Sequence, residues 1–221
     1  MDIWALIPVK SLYRSKIRLA HLLTAEQRAQ LIYGLLQQEL AILSKIPDIS
    51  EILVISGDSA VRSLARQYGA LVEEEPEPQG LNAAVKRGMT IAAANGASGA
   101  LILPVDLPFV TATEVTMIVN AGLGKRTADL ETDDALLWSG GKGNGRILAI
   151  SADEDGAGTN ALFLDPRMEF TFHYGPGSFQ LHIQEAERRG LGVHIVSAPG
   201  LQFDLDTEKD WFIYQTSTVI S

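Results

Sequence analysis

The sequence predicts a single α/β domain built around a mainly parallel β-sheet, and three observations support this fold class. The chain has 221 residues, 46% hydrophobic and 20% charged, which suits one large globular domain. Short apolar runs alternate along it with longer segments in which apolar residues recur at helical spacing. Strands separated by helices form right-handed βαβ units, in which the two strands lie parallel.

The first half of the chain contains four predicted strands with helices between them. The first helix begins with a capping box, because Thr24 is followed three residues later by Gln27. Asp58 is a preferred cap for the second helix, and Gly69 closes that helix. The predicted strands are 3–9, 51–56, 70–74 and 99–105, and the predicted helices are 24–43, 58–69, 81–96 and 111–123.

The second half of the chain is less regular. The segment 123–146 is polar, rich in glycine and without a sustained period, so it is predicted to be an insertion or exposed hairpin within one domain spanning 1–221. The chain is then predicted to end with a short strand leading into a helix capped by Asp206 or Thr207. The other predicted elements are strands at 146–151, 160–166 and 192–197 and a helix at 179–190.

Composition excludes several classes of function. The absence of cysteine removes disulfides, thiolate nucleophiles and thiolate metal sites. The net charge of −9 argues against nucleic acid and anionic membranes as partners. The chain lacks an apolar run of about 18 residues and a secretory signal, so we expect a cytoplasmic protein. The four histidines, which lack metal-site spacing and are expected on the surface or in packing, are His21, His173, His182 and His194.

A cationic segment follows the first predicted strand. No acid occurs between Ile3 and Ala25, although the chain as a whole is acidic. One interpretation is a loop that binds a small anion, and the other is a solvated loop with exposed basic side chains. The basic residues of this segment are Lys10, Arg14, Lys16 and Arg18.

Three aspartates are candidates for a metal site. Asp106 lies between two prolines just beyond the fourth predicted strand, at the sheet edge where α/β proteins bind ligands. Asp204 and Asp206 are separated by Leu205, and in an extended segment alternation would place both carboxylates on one side. Three carboxylates at one edge would suit Mg²⁺. Alternatively, Asp206 is only a helix cap and Asp204 only a loop acid.

Other candidates lie in turns at the predicted carboxyl edge of the sheet. Ser56 is the last residue of the second predicted strand. Gly80 and Asn82 stand at a helix start, where Asn82 could contact a base or ribose or merely cap the helix. One glycine-rich turn leads into a strand and carries Thr159, and a second, 175–178, leads into a helix. Glycines and helix N-termini favour phosphate, although either turn taken alone is more simply interpreted as an ordinary connection.

Taken together, these motifs resemble the 2-phospho-L-lactate and phosphoenolpyruvate guanylyltransferases of coenzyme F420 biosynthesis. The resemblance extends from residue 3 to residue 210, and it departs from the family's usual pattern at Ile17, at Ala152 and in the length of 123–146. It implies a three-layer fold of the nucleotidyltransferase type. The motifs that carry it are "IPVK", "SKIRLA", "EEEPEPQGLNAAV", "LPVDLP", "DGAGTNAL", "YGPGSFQLH" and "PGLQFDLDTEKD".

The resemblance also implies a reaction and its partners. GMP would pass from GTP to a phosphorylated three-carbon acid with release of pyrophosphate, and the product would go to a downstream enzyme of the same biosynthesis. The sequence does not separate phospholactate, phosphoenolpyruvate and 3-phosphoglycerate as the acid, nor does it exclude a homodimer. Two alternatives stay open: a nucleotidyltransferase acting on molybdopterin or a sugar phosphate, and a GTP-binding sensor without turnover.

The family carries four sets of roles over to this chain. Catalysis and binding of the triphosphate are assigned to Lys10, Lys16, Arg18 and Asp106, and Mg²⁺ binding to Asp106, Asp204 and Asp206. The acceptor phosphate is assigned to Thr159, Gly175 and Ser178, and the nucleotide to Gly80, Asn82 and Ser56.

Overall fold

A computed structural model describes residues 1–75, 79–125, 136–139 and 145–218 of the chain. Eight strands form one sheet in the order β3-β2-β1-β4-β7-β6-β8-β5. The strands are β1 (Ile3–Pro8), β2 (Ile49–Ile55), β3 (Leu71–Glu73), β4 (Gly99–Ile102), β5 (Leu136–Ser139), β6 (Ile147–Ala152), β7 (Thr159–Leu164) and β8 (Gly192–Val196). The helices are α1 (Ala25–Leu43), α2 (Ser59–Gln67), α3 (Leu81–Ala94), α4 (Ala112–Gly122), α5 (Ser178–Arg188), α6 (Pro199–Gln202) and α7 (Glu208–Thr218).

The pairing of the strands brings several chain segments to one edge of the sheet. Strand β1 pairs in parallel with β2 and β4, β2 pairs in parallel with β3, and β6 pairs in parallel with β8. Strand β7 is antiparallel to β4 and β6, and β5 is antiparallel to β8. Because β7 runs the other way, its first residue, Thr159, lies at the edge where β1, β2, β4 and β6 end. The predicted α/β class with a mainly parallel sheet is therefore confirmed.

The sheet is the middle of three layers. Alternation along β1 sends Ile3, Ala5 and Ile7 into one hydrophobic cluster and Trp4 and Leu6 into a second. The first cluster is covered by α1, α2, α4 and α6, and the second by α3 and α5. A sheet with both faces covered has to expose its ligand sites at the strand ends.

Most local predictions are confirmed by the helix termini. The capping box of α1 is present, since Gln27 N–H donates to Thr24 Oγ1 and the Gln27 side chain accepts from Thr24 N–H. The Asp58 side chain accepts from Ala60 N–H at the start of α2, and Gly69 follows that helix with a φ of +76°. These ends were predictable because the partners are only two or three residues apart.

Two predictions about the second half need a different description. The predicted strand before α7 is wrong, because residues 203–206 join no strand and Leu205 N–H donates instead to the Asp106 carbonyl at 2.9 Å. The predicted insertion at 123–146 lies largely outside the described residues, apart from β5 and the segments next to α4 and β6. Within the described part of the chain, no helix has the length and hydropathy needed to cross a membrane.

Candidate active site

Three carboxylates meet just beyond the end of β4. Asp106 follows that strand, and Asp204 and Asp206 follow α6; one oxygen from each lies within 4.8 Å of the others. The backbone bond from Leu205 N–H to Asp106 O joins the two segments, and the Leu205 side chain is fully buried. The two acids that flank Leu205 can therefore reach Asp106 together, as the alternation in the sequence predicted.

The helix cap at the start of α7 is Thr207 rather than Asp206. Thr207 N–H donates to Asp210 Oδ2 at 2.7 Å, and Asp210 N–H donates back to Thr207 Oγ1 at 3.4 Å. The Asp206 carboxylate is thus free of a capping role and bonds to basic side chains instead. The interpretation of Asp206 as only a helix cap is therefore wrong, and its role in a metal site stays a prediction.

The Lys16 ammonium lies between two of the three carboxylates. Its Nζ is 2.6 Å from Asp106 Oδ2 and 2.8 Å from Asp206 Oδ1, and its side chain is only 5% exposed. Burial lowers the pKa of Lys16, but the charges of Asp106 and Asp206 outweigh burial and raise it. Lys16 also has a φ of +52°, the only positive value at a non-glycine residue in the described part of the chain. Such backbone strain is typical of functional sites.

The carboxylates carry more negative charge than these contacts neutralise. Burial, and next the charge of Asp106, raises the pKa of Asp204 to about 6, although Asn160 Nδ2 donates to it at 3.4 Å. Burial alone would raise the pKa of Asp206, but the positive charges of Lys16 and Arg18 outweigh burial and lower that pKa. A divalent cation prefers oxygen ligands, and it would supply the positive charge that Asp204 lacks in this group. Asp106, Asp204 and Asp206 therefore suit Mg²⁺ as a donor set.

Two cavities open on either side of the carboxylates. One, of about 200 Å³, is lined by Lys10, Arg14 and Lys16 of the cationic segment, by Leu81 at the start of α3, and by Asp106. The other, of about 340 Å³, is lined mainly by acids, with Arg18 and Lys209 beside them. The first cavity offers positive charge to an anion next to a candidate metal site. Arg18 reaches the site from the second, since its Nη1 is 3.2 Å from Asp206 Oδ2.

The three residues predicted to face the nucleotide have different surroundings. Gly80 is the residue before α3 and has a φ of +93°, a conformation that favours glycine. Asn82 neither caps α3 nor points freely into solution: its Oδ1 accepts from Tyr174 N–H at 2.7 Å, and its Nδ2 donates to Tyr174 O at 3.0 Å. Ser56 is fully buried and its hydroxyl accepts from Asp58 N–H, so its assignment to the nucleotide stays a prediction.

The residues predicted to hold the acceptor phosphate lie together. Ser178 Oγ donates to Thr159 Oγ1 at 3.2 Å, and Ser178 is the first residue of α5, one residue before the predicted start of that helix. Gly175 stands three residues before Ser178 with a φ of +140°. The Ser178 N–H is already used, since it donates to the Gly175 carbonyl, whereas no acceptor within the described residues takes the Gly175 N–H. The Thr159 and Ser178 hydroxyls thus lie together, next to a turn whose Gly175 amide has no acceptor among the described residues.

Sequence reasoning missed His182, which lies within this group. Its side chain is fully buried, Nδ1 is 3.0 Å from Thr159 Oγ1, and Nε2 accepts from His173 N–H at 2.9 Å. Burial, and next the charge of His173, lowers the pKa of His182 to about 4. The only signal in the sequence was its place four residues after Ser178, which puts both on one face of α5.

The burial of His182 predicts that its own contribution to folding stability falls in mild acid, whereas the raised pKa of Asp204 acts in the opposite direction. The pKa of His182 is about 4 in the folded state and 6.5 when unperturbed, so the unfolded chain binds the proton first as the pH falls. The stabilisation is complete above pH 6.5 and declines towards pH 4, and by about pH 5 roughly 2 kcal/mol should be lost. Urea unfolding at several pH values between 5 and 7.5 measures this loss.

The matched variant for this measurement is His182→Gln, which does not titrate. The neighbouring Glu185 does not titrate in this window either: burial raises its pKa, but hydrogen bonds from Arg188 and Arg189 outweigh burial and lower it to about 2. The wild-type curve should therefore fall relative to the variant between pH 6.5 and pH 5. Parallel curves would show that His182 titrates normally.

Comparisons with known proteins agree with this site and fold. A family model described as "Guanylyl transferase CofC like" matches residues 3–129 and 142–213. A phosphoenolpyruvate guanylyltransferase of Rubrobacter xylanophilus is 35% identical over 210 residues, covering 95% of this chain and 92% of that protein. Another of that name, from Roseiflexus castenholzii, is 34% identical over 217 residues, covering 97% of this chain and 90% of that protein.

Solved structures show the same fold at much lower sequence identity. The crystal structure of 4-diphosphocytidyl-2C-methyl-D-erythritol synthase from Anaerococcus prevotii superposes with a TM-score of 0.60 and 10% identity. The match covers 99% of this chain and 96% of that one. The likeness in fold and the long matches in sequence, together with the carboxylates beside a basic cavity, show that this chain belongs to the family of CofC-like guanylyl transferases.

Proposed function

We propose that this protein transfers GMP from GTP to a phosphorylated three-carbon acid and releases pyrophosphate, as a step in the biosynthesis of coenzyme F420. The observation that carries the proposal is the group of three carboxylates beside a basic cavity at the carboxyl edge of the sheet. The names of the relatives favour phosphoenolpyruvate among the candidate acids. The molybdopterin, sugar-phosphate and sensor alternatives gain no comparable support.

The reaction brings two anions together, so neutralising charge is the main task of the protein. An oxygen of the acceptor phosphate attacks the α-phosphorus of GTP, the bond to the β-phosphate breaks, and pyrophosphate leaves with its electron pair. No proton has to move if the acceptor is a dianion. Lys10, Lys16 and Arg18 are proposed to hold the triphosphate and the departing pyrophosphate, because they surround the carboxylates and line the adjoining cavities.

Mg²⁺ is proposed as the cofactor, held by Asp106, Asp204 and Asp206. When bound, the cation would neutralise phosphate charge and favour the approach of one phosphate to the other. Since Lys16 contacts two of these carboxylates in the present arrangement, its ammonium is already placed where the charge of the substrates will accumulate. The other residues would then act by orientation and hydrogen bonding.

The nucleotide is proposed to lie along the start of α3. Gly80 has no side chain, so a ligand can approach the backbone there, and the neighbouring Leu81 lines the basic cavity. Asn82 can reach a base or ribose only by giving up its bonds to Tyr174.

We further expect a cytoplasmic location, association into a homodimer and delivery of the product to a downstream enzyme.

Pyrophosphate release is the measurement that tests the proposed function. Purified protein with Mg²⁺ and GTP should release pyrophosphate only when phosphoenolpyruvate, 2-phospho-L-lactate or 3-phosphoglycerate is added. The downstream deazaflavin-adding enzyme should be present to trap an unstable product. ATP and CTP in place of GTP, and each acid without its phosphate, are the controls. Tight binding of GTP without pyrophosphate release for any of the acids would identify a sensor instead.

A change at Ser178 is expected to weaken the acceptor rather than the nucleotide. Ser178→Ala removes one of the two hydroxyls gathered at the phosphate turn, and losing a hydrogen bond to a charged group costs roughly 1–3 kcal/mol. The KM for the acid should therefore rise about tenfold or more, while the KM for GTP stays the same. The control is Ser44→Ala, at an exposed serine whose hydroxyl bonds only to Ala41 O. An equal rise in both KM values for Ser178→Ala would place the acceptor elsewhere.

A further inference from the structure

A buried chain of hydrogen bonds runs through the turn that is proposed to hold the acceptor. It begins at His173 N–H, passes through both ring nitrogens of His182, and continues through Thr159 Oγ1 to Ser178 Oγ. The bonds are 2.9, 3.0 and 3.2 Å long. His182 is fully buried, and Ser178 and Thr159 are 2% and 7% exposed. Water therefore cannot rearrange this chain freely, and the placement of its protons follows from its ends.

The first end fixes the tautomer of His182. A backbone N–H can only donate, so the Nε2 atom that faces His173 N–H has to be unprotonated. Burial disfavours the charged ring, so His182 carries one proton near neutral pH, and that proton lies on Nδ1. The Nδ1–H consequently donates to Thr159 Oγ1.

At the other end of the chain of hydrogen bonds, the Thr159–Ser178 pair has one hydroxyl proton without an acceptor. Thr159 and Ser178 have two hydroxyl protons between them and share one hydrogen bond, so one proton is used and one is not, whichever way that bond runs. The spare proton cannot turn to His182, because Nδ1 is itself a donor. Within the described residues, no other side chain or carbonyl accepts from either hydroxyl. The Gly175 N–H, three residues before Ser178, also has no internal acceptor in the described part of the chain.

We propose that His182 is a positioning residue that makes the Thr159–Ser178 pair a hydrogen-bond donor, so that this turn accepts a group with acceptors only, such as a phosphate dianion. The inference rests on the proposed function for the identity of the acid. The tautomer does not depend on that identity: the Nδ1 proton of His182 determines that the Thr159–Ser178 pair has a proton left to donate. With the opposite tautomer, Thr159 could donate to the ring, and the pair would have no spare proton.

Two amide side chains separate the roles of the two ring nitrogens. In His182→Asn the amide nitrogen takes the place of Nδ1 and can still donate to Thr159, whereas in His182→Gln the amide oxygen takes the place of Nε2 and can only satisfy His173 N–H. We expect His182→Asn to keep the KM for the acid within about threefold of wild type. His182→Gln should raise that KM about tenfold, with the KM for GTP unchanged in both variants.

Controls separate this role from simple packing. His194 also uses Nδ1 in a bond to protein, 2.7 Å from Ala121 O, but it lies on β8, outside the acceptor turn. The Asn and Gln changes at His194 should leave both KM values unaltered. Equal KM values for the acid in the two His182 variants, after thermal melting has shown that both are folded, would overturn the proposal and leave His182 as a packing residue.

The tautomer itself can be measured without any activity. In protein labelled with ¹⁵N in the histidine rings, NMR distinguishes a protonated Nδ1 from a protonated Nε2, and the signal of His182 is identified by its loss in His182→Gln. The expected result near pH 7 is a neutral ring with the proton on Nδ1. A proton on Nε2 would overturn the inference even if GMP transfer is demonstrated. Conversely, the expected tautomer in a protein that transfers no GMP would refute only the proposed function.

Discussion

Asp106→Asn is expected to lower kcat/KM by about a thousandfold or more while leaving the fold intact. The carboxylate lies with Asp204 and Asp206 in the only group of three potential metal ligands found among the described residues, and its side chain is 25% exposed, so packing does not explain it. Removing one charge from a catalytic metal site costs several kcal/mol of transition-state stabilisation, and each 1.4 kcal/mol is about a factor of ten in rate.

The effect of Asp106→Asn is measured by pyrophosphate release over a range of Mg²⁺ concentrations. A matched control is Asp48→Asn, which removes the same charge from the residue before β2, at the opposite edge of the sheet. The control should behave as wild type. Turnover of Asp106→Asn within about threefold of wild type, with the same dependence on Mg²⁺, would exclude Asp106 as a metal ligand.

Lys16→Met is expected to produce the second large loss, with kcat/KM for GTP falling about a hundredfold. The methionine fills a similar volume but removes the only ammonium that contacts both Asp106 and Asp206 in the described structure. Without it, the triphosphate loses a cation and the carboxylates lose a counter-charge. Removing one partner from a buried ion pair is destabilising, so the metal-free variant should also melt at a lower temperature than wild type.

Magnesium should partly reverse that loss of stability, because a divalent cation can replace the missing charge. Thermal melting with and without MgCl₂ should show a larger increase in Tm for Lys16→Met than for wild type, in which the ammonium competes for the same oxygens. The control is Lys45→Met, an exposed lysine just beyond α1. Normal use of GTP by Lys16→Met would show that Lys16 pairs with the carboxylates for stability only and does not bind the triphosphate.

Much of the fold and part of the site followed from local sequence patterns. The alternation in β1 and the capping partners of α1 and α2 could be predicted because the residues involved are neighbours along the chain. The meeting of Asp106 with Asp204 and Asp206 could be expected for a different reason. Parallel strands end at a common edge, so acids that follow such strands, or segments leading from them, are brought together.

Which polar groups already have partners depends on contacts between distant parts of the chain. Lys16 bonds to acids 90 and 190 residues away, and Asn82 bonds to the backbone of Tyr174, 92 residues away. No local pattern encodes such pairs, so neither the burial of Ser56 nor the hydrogen bonds of His182 to Thr159 and His173 could be predicted. The chain alone indicated the approximate ends of β1, β2 and β4 and the residues that follow them. In the folded chain, some of those residues are buried and others already use their donors and acceptors in hydrogen bonds. The rest remain available to a ligand.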